Sequence, residues 1–468
     1  MSDPSGGAHG GAPPHLVIVA PFWGAPAHVG VYRVERFLRW ARARGVRVTM
    51  VRAGSSDRVE HTSTGVEVVV ADPIRFYRDQ PPAGAPSGPP APARRENRFR
   101  RSVATTLLSP DPGIAWAHRA ATHPTVREHA RGARWVLSSS PPESSHLCAW
   151  QLARGAGARL VADLRDGWLD DPLKPALRRY RLRRWHEGRW ERRVVRDAAC
   201  VFVTSAVWRD MLVARYPAAA SRTVVLTNGY PPGVDGGDVA ARGRAAGAAR
   251  TAGRPLELLH AGRFTTSRAT QTVGRLLEPL LAGVRRGSYR GRVRLLGDLG
   301  PDDKAAVEAL RPAYAAAGWT VEHADRVARD EALAALDGAD GLLLLSATPP
   351  TIPSKLFEYL PARRPVFAVT PAAGAVWQAC AELPQVTLVA PDDPEAGAAA
   401  AARFLDDCAR GPAAVRVPAG FAEPALAAVF ASALGLPDGA PDARPHPGDV
   451  DASSAAREPA SAARAGRR

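Results

Sequence analysis

Lysine is almost missing from this chain, and cysteine is rare. Of 468 residues only Lys174, Lys304 and Lys355 are lysines, and only Cys148, Cys200, Cys380 and Cys408 are cysteines. No two cysteines stand at metal-ligand spacing, which argues against a structural zinc site and a disulfide framework. Each has apolar neighbours and reads as a buried free thiol in a reducing compartment. Long apolar runs are missing too: none approaches the roughly eighteen residues of a membrane-crossing helix. Residues 1–14 are rich in Gly and Pro and lack a basic n-region, and Leu16–Val19 is too short for a signal h-region. The expectation is a cytoplasmic protein. No Gly-x-Gly-x-x-Gly follows the first apolar strand, which disfavours a nicotinamide dehydrogenase. No nucleic-acid recognition motif accompanies the basic charge, so no nucleic-acid partner is expected.

What is present is a large, soluble, basic chain. Its length predicts two domains. A hydrophobic share of 46% with 23% charged residues is that of a globular protein. Arginine abundance alongside Ala, Gly and Pro reads as the composition of a GC-rich genome. The formal net charge of +16 is unevenly spread: Lys174–Arg196 holds ten basic and two acidic residues, a net of +8. The tail after Leu436 balances to about zero.

Short apolar runs alternate with helical periodicities throughout. A strand at His15–Ala20, a turn-rich loop to Gly30, a helix at Tyr32–Arg44 and a strand at Val46–Val51 form a βαβ unit. Further strands are expected at Val66–Val70, Trp135–Ser139, Arg159–Asp163, Val201–Thr204 and Thr223–Leu226. A second set begins at Leu256–Ala261 and continues at Val293–Leu296, Val321–His323, Gly341–Leu345, Val366–Val369 and Val386–Val389. The fold class is therefore α/β, with two doubly wound Rossmann-like domains facing across a cleft. The expected divisions are a disordered segment at 1–14, an N-terminal domain at 15–230 and a linker at 231–255. A C-terminal domain at 256–420, a last helix at 421–434 and a disordered tail at 437–468 follow. Such sheets bind ligands at the C-terminal ends of their strands.

Three strings carry the chemistry. In Pro353-Ser354-Lys355-Leu356-Phe357-Glu358-Tyr359-Leu360 a loop gives way to a short helix bearing one carboxylate. A carboxylate there suits a sugar diol, and a helix N-terminus suits a phosphate. In His260-Ala261-Gly262-Arg263-Phe264 a strand ends on a glycine, with Arg268 five residues after Arg263. Two guanidiniums match a diphosphate, although an exposed arginine pair is the plainer alternative in so arginine-rich a chain. Ser139-Ser140-Pro141-Pro142 and Asp163-Leu164-Arg165-Asp166-Gly167-Trp168 each follow a strand. Arg165 and Asp166 either orient an acceptor or pair with each other. His28, in the loop before Gly30, is a lone histidine.

These strings resemble the family 4 retaining glycosyltransferases of the GT-B fold, a bacterial branch in particular. The resemblance spans about residues 15–434. It implies transfer of a sugar from a nucleoside diphosphate sugar to an acceptor hydroxyl with retention, without a metal or a resident cofactor. Glu358 then holds the ribose, and Gly30, Gly262, Arg263, Arg268, Ser354, Lys355 and Leu356 line the donor. Arg263, Arg268 and Glu358 are the implied catalytic set; His28, Arg165 and Asp166 are the implied acceptor side. Where the family has a lysine this chain has Arg268, and where many members have a glutamate it has Pro350. Thr227-Asn228-Gly229-Tyr230 resembles the family's Asn-Gly turn and predicts a positive φ. An epimerase or hydrolase on the same scaffold is one alternative, and a non-catalytic binding protein is another. The acceptor is a glycan, a lipid-linked sugar or a small molecule. In Lys174–Arg196, Leu182, His186, Trp190 and Val194 recur every fourth residue beside many arginines. This is either a packed helix with a solvated basic face or a peripheral contact with the inner face of a membrane.

Overall fold

The computed structural model describes residues 13–24, 29–63, 65–77, 108–171, 174, 177, 179–231, 254–262, 264, 273–325, 327, 329–411 and 414–436. Most of the expected linker and the two chain ends lie outside these residues. Continuous apolar runs become central parallel strands, because such strands are covered on both faces. All five residues of β1 (His15–Val19) are buried, as are all five of Gly341–Leu345.

The first sheet is built from β1, β2 (Arg47–Gly54), β3 (Arg58–Thr62), β4 (Gly65–Ala71), β5 (Trp135–Ser140), β6 (Arg159–Leu164), β7 (Ala198–Val203) and β8 (Thr223–Val225). Its order is β3-β4-β2-β1-β5-β6-β7-β8, parallel except for the antiparallel β3–β4 pair. Between the strands run α1 (Val29–Arg42), α2 (Ile114–Thr122), α3 (Pro124–Ala130), α4 (Ser144–Ala156), α5 (Arg181–Asp197) and α6 (Ala206–Arg215). The edge strand β3 was not foreseen: Val59 is its only aliphatic residue, and its residues are mostly exposed.

The second sheet uses β9 (Leu256–Ala261), β10 (Gly291–Leu296), β11 (Trp319–Ala324), β12 (Gly341–Leu345), β13 (Val366–Val369) and β14 (Val386–Val389). Its order, β11-β10-β9-β12-β13-β14, is wholly parallel. Its helices are α7 (Gly274–Arg286), α8 (Pro301–Ala316), α9 (Arg329–Gly338), α10 (Leu356–Tyr359), α11 (Ala375–Cys380) and α12 (Pro394–Arg410). Strand order reverses between β1 and β5 in one sheet and between β9 and β12 in the other. Those two points are where doubly wound sheets open a crevice at the strand C-termini.

The last helix, α13 (Glu423–Leu434), packs on the first sheet rather than the second. Phe430 stacks on Phe37 of α1 with ring centroids 5.3 Å apart and on Phe202 of β7 at 6.0 Å. Glu423 accepts from Trp40 Nε1 at 2.6 Å and from Arg39 at 2.8 Å. Gly229 does not adopt the expected positive φ. A Cβ there would lie 2.2 Å from Leu426 Cδ1 and 2.7 Å from the Phe421 carbonyl oxygen. The glycine is required by close approach of the C-terminal helix, not by turn geometry.

Candidate active site

At the switch point of the second sheet, β9 runs into Gly262, whose φ of +118° favours glycine. A Cβ at Gly262 would meet Lys355 Cε and Nζ, each at 3.2 Å. The glycine therefore turns the chain and leaves room for the lysine stem. Lys355 Nζ lies 2.9 Å from His260 Nε2 and 5.5 Å from the centre of the Phe264 ring. Phe264 in turn stacks on His260 at 3.8 Å. The one-turn helix α10 buries Leu356, Phe357 and Tyr359 and leaves Glu358 half-buried. The Tyr359 hydroxyl accepts the Ala261 N–H at 2.8 Å and donates to the Ala261 carbonyl at 3.2 Å. That pair of bonds fastens α10 to the end of β9, and burial pushes the phenol's pKa up.

Gly262 and Lys355 are thus in contact, and Ser354, Leu356 and Glu358 sit in the same turn of chain. Ser354 is exposed and Leu356 fully buried. Arg263 and Arg268 lie outside the described residues. The Pro350 carbonyl, in the loop after β12, accepts the Ser205 hydroxyl of the first domain at 2.6 Å.

At the first sheet's switch point, Gly30 and Arg165 line one crevice together with Phe22, Trp23, Ser139 and Pro141. Arg165 donates to the carbonyls of Ser140 at 2.9 Å and Pro141 at 3.3 Å. Its pKa is lowered by burial, and that of Asp166 is raised by burial. No ion pair joins these two neighbours among the described residues. Asp163 instead takes the buried pair, with Arg33 Nη2 at 2.7 Å and Nε at 2.8 Å. His28 lies outside the described residues.

Sequence reasoning missed Arg33 and a second buried cluster. Lys174 Nζ lies 2.6 Å from Glu143 Oε1. Nearby, Asp111 accepts from Ser144 N and Oγ, both at 2.8 Å. Burial, and then the Glu143 charge, lift Asp111 to about 6. An acidic residue opening the helix after Pro141-Pro142 was the available signal.

The arginine-rich segment contains α5, but only the C-terminal half of its fourfold stripe, Trp190 and Val194, meets the core. Four residues advance a helix by more than a full turn, so the stripe winds round the surface. The buried positions are Glu187, Glu191, Val194 and Val195. The acids are satisfied by Arg183 at 2.8 Å and by Arg215 at 3.0 Å. Leu182 and Trp185 are left 76% and 58% exposed. They stand on a face that also carries Arg181, Arg184, Arg189 and Arg192, all exposed.

Residues 30–229 match the model of the glycosyl transferase 4-like domain. The chain has the GT-B fold. This fold is shared with Anabaena HepE in complex with UDP-glucose, at 14% identity and a TM-score of 0.51. That match covers 90% of this chain and 99% of HepE. A UDP-forming α,α-trehalose-phosphate synthase from Burkholderia xenovorans aligns at 11% identity and a TM-score of 0.54, over 90% and 95% of the two chains. No curated protein matches the sequence. Among the described residues, no helix is long and apolar enough to cross a membrane.

Proposed function

We propose that the enzyme transfers a sugar from a nucleoside diphosphate sugar to an acceptor hydroxyl, with retention at the anomeric carbon and without a metal. One observation carries the reading. Lys355 and Glu358 share a turn that the Tyr359 hydroxyl fastens to the C-terminal end of β9. An ammonium and a carboxylate so close suit the two halves of a nucleoside diphosphate. The carboxylate oxygens accept from the ribose hydroxyls, while Lys355, with Arg263 and Arg268, neutralises the diphosphate. As the bond between the anomeric carbon and the phosphate oxygen breaks, charge grows on the leaving diphosphate. Cations positioned there stabilise that charge. The acceptor oxygen bonds to the same face of the anomeric carbon, and its proton passes to the leaving phosphate.

On the acceptor side, Arg165 lines the crevice at the first switch point, and it would orient the acceptor together with Asp166 and His28. The exposed Trp185 and Leu182 among arginines favour an acceptor presented at an acidic membrane surface, such as a lipid-linked sugar. The enzyme then works on the inner face of the membrane as a peripheral protein.

A thermal-shift panel of UDP, GDP, ADP and dTDP tests the donor half. One nucleotide should raise the Tm, and Glu358→Ala should abolish that rise. If none of the four shifts the wild-type enzyme, the reading fails. With the matching donor, the anomeric configuration of the product by NMR and turnover in EDTA test retention and metal independence.

A further inference from the structure

The ring of His260 is fully buried, and both of its nitrogens are in contact with polar groups. Its Nδ1 lies 2.8 Å from the Leu343 carbonyl of β12, which can only accept, so Nδ1 carries the proton. In the neutral ring Nε2 is then a bare acceptor, and Lys355 Nζ stands 2.9 Å from it. The Gly262 carbonyl is 3.1 Å from the same nitrogen. Two lone pairs facing each other repel, and the lysine ammonium is the donor at hand to relieve them. An imidazolium would relieve the carbonyl contact but would set two cations against each other. The neutral tautomer is the consistent state.

His260 spans the switch point itself, rising from β9 and bonded to β12. It is fully buried and stacked under Phe264, so it has little freedom to move. We infer that His260 is a positioning residue, a fixed acceptor that aims the Lys355 ammonium at the diphosphate of the donor. The inference rests on the donor reading above and deepens it by assigning a residue that reading does not use. A lysine otherwise loses side-chain entropy when it is ordered on a ligand. A lysine already held by an acceptor and by the face of an aromatic ring has lost much of that freedom before the nucleotide arrives.

Two isosteres separate this role from a structural one. His260→Asn keeps a donor near the Nδ1 position for Leu343 and loses the acceptor for Lys355. His260→Gln keeps an acceptor near the Nε2 position and loses the bond to Leu343. By calorimetry with the nucleoside diphosphate that binds the wild type, His260→Asn should weaken affinity about tenfold, the order of one charge-assisted hydrogen bond. His260→Gln should remain close to wild type, and affinity for the parent nucleoside should be unchanged in both. Adding His260→Asn to Lys355→Ala should cost nothing further. The inference is overturned if His260→Gln binds as poorly as His260→Asn, or if the two losses add. It is also overturned if His260→Asn leaves affinity unchanged while the wild type binds, and then the donor reading still stands. A wild type that binds no diphosphate overturns both.

Discussion

The Ser205 hydroxyl donates to the Pro350 carbonyl at 2.6 Å, joining the first residue before α6 to the loop that follows β12. The same oxygen accepts the Trp208 N–H at 3.1 Å, so one serine caps a helix and bridges two domains. Pro350 contributes a backbone carbonyl to that domain contact.

Ser205→Ala should therefore cost the cap and the bridge together, about 1–3 kcal/mol by chemical denaturation. Ser205→Asp keeps a capping oxygen but brings a carboxylate against the Pro350 carbonyl. It should lose the bridge while α6 remains capped. Equal stability of Ser205→Asp and wild type would show that the bridge contributes nothing.

Gly229→Ala should be more damaging than its size suggests. The added methyl would meet the Phe421 backbone carbonyl at 2.7 Å as well as the Leu426 side chain. A side chain can rotate away, but that carbonyl also accepts the Tyr230 N–H at 3.0 Å and has little room to yield. Overpacking of this kind costs about 1–3 kcal/mol. The expected result is a Tm lower by several degrees, with α13 loosened from the first sheet in hydrogen exchange. Unchanged protection of α13 would contradict the close-packing account.

The strands were readable because buried parallel strands are continuous apolar runs, and the two doubly wound halves followed from their alternation with helices. β3 was not readable, since an exposed edge carries no such pattern. The shared turn of Lys355 and Glu358 was readable because it is local. Their surroundings were not. Lys355 meets His260 across 95 positions, Arg33 meets Asp163 across 130, and Ser205 meets Pro350 across 145. Pairs so distant arise only once the sheets are assembled. The stripe in α5 is a poor guide to the packed face for a different reason: Glu187 and Glu191 are buried because Arg183, one turn earlier, and Arg215 of α6 neutralise them.

The exposed face of α5 predicts salt-sensitive binding to acidic vesicles. Flotation with phosphatidylglycerol-containing liposomes should recover the protein at low salt and release it as ionic strength rises. Trp185→Ala should reduce recovery at every salt concentration, because it removes apolar insertion rather than charge. Arg189→Gln with Arg192→Gln should flatten the salt dependence. Equal recovery on neutral and acidic vesicles would retire the membrane contact.

Asp111 sets a pH dependence whose sign is fixed by its burial. Its pKa rises from the usual 3.8 to about 6 in the folded protein, first through burial and then through Glu143. A carboxyl whose pKa is higher folded than unfolded favours folding in its protonated form. That contribution is complete below about pH 4 and is lost as pH rises through about 6. Two units correspond to a ceiling of roughly 3 kcal/mol. Asp111→Asn keeps one acceptor oxygen for Ser144 and Gly113 and cannot ionise. In urea denaturation from pH 4.5 to 7.5, the stability of wild type relative to Asp111→Asn should therefore decline as pH rises, most steeply near pH 5, and level off above about 6. A difference that stays constant over that range would mean that Asp111 titrates normally despite the carboxylate beside it.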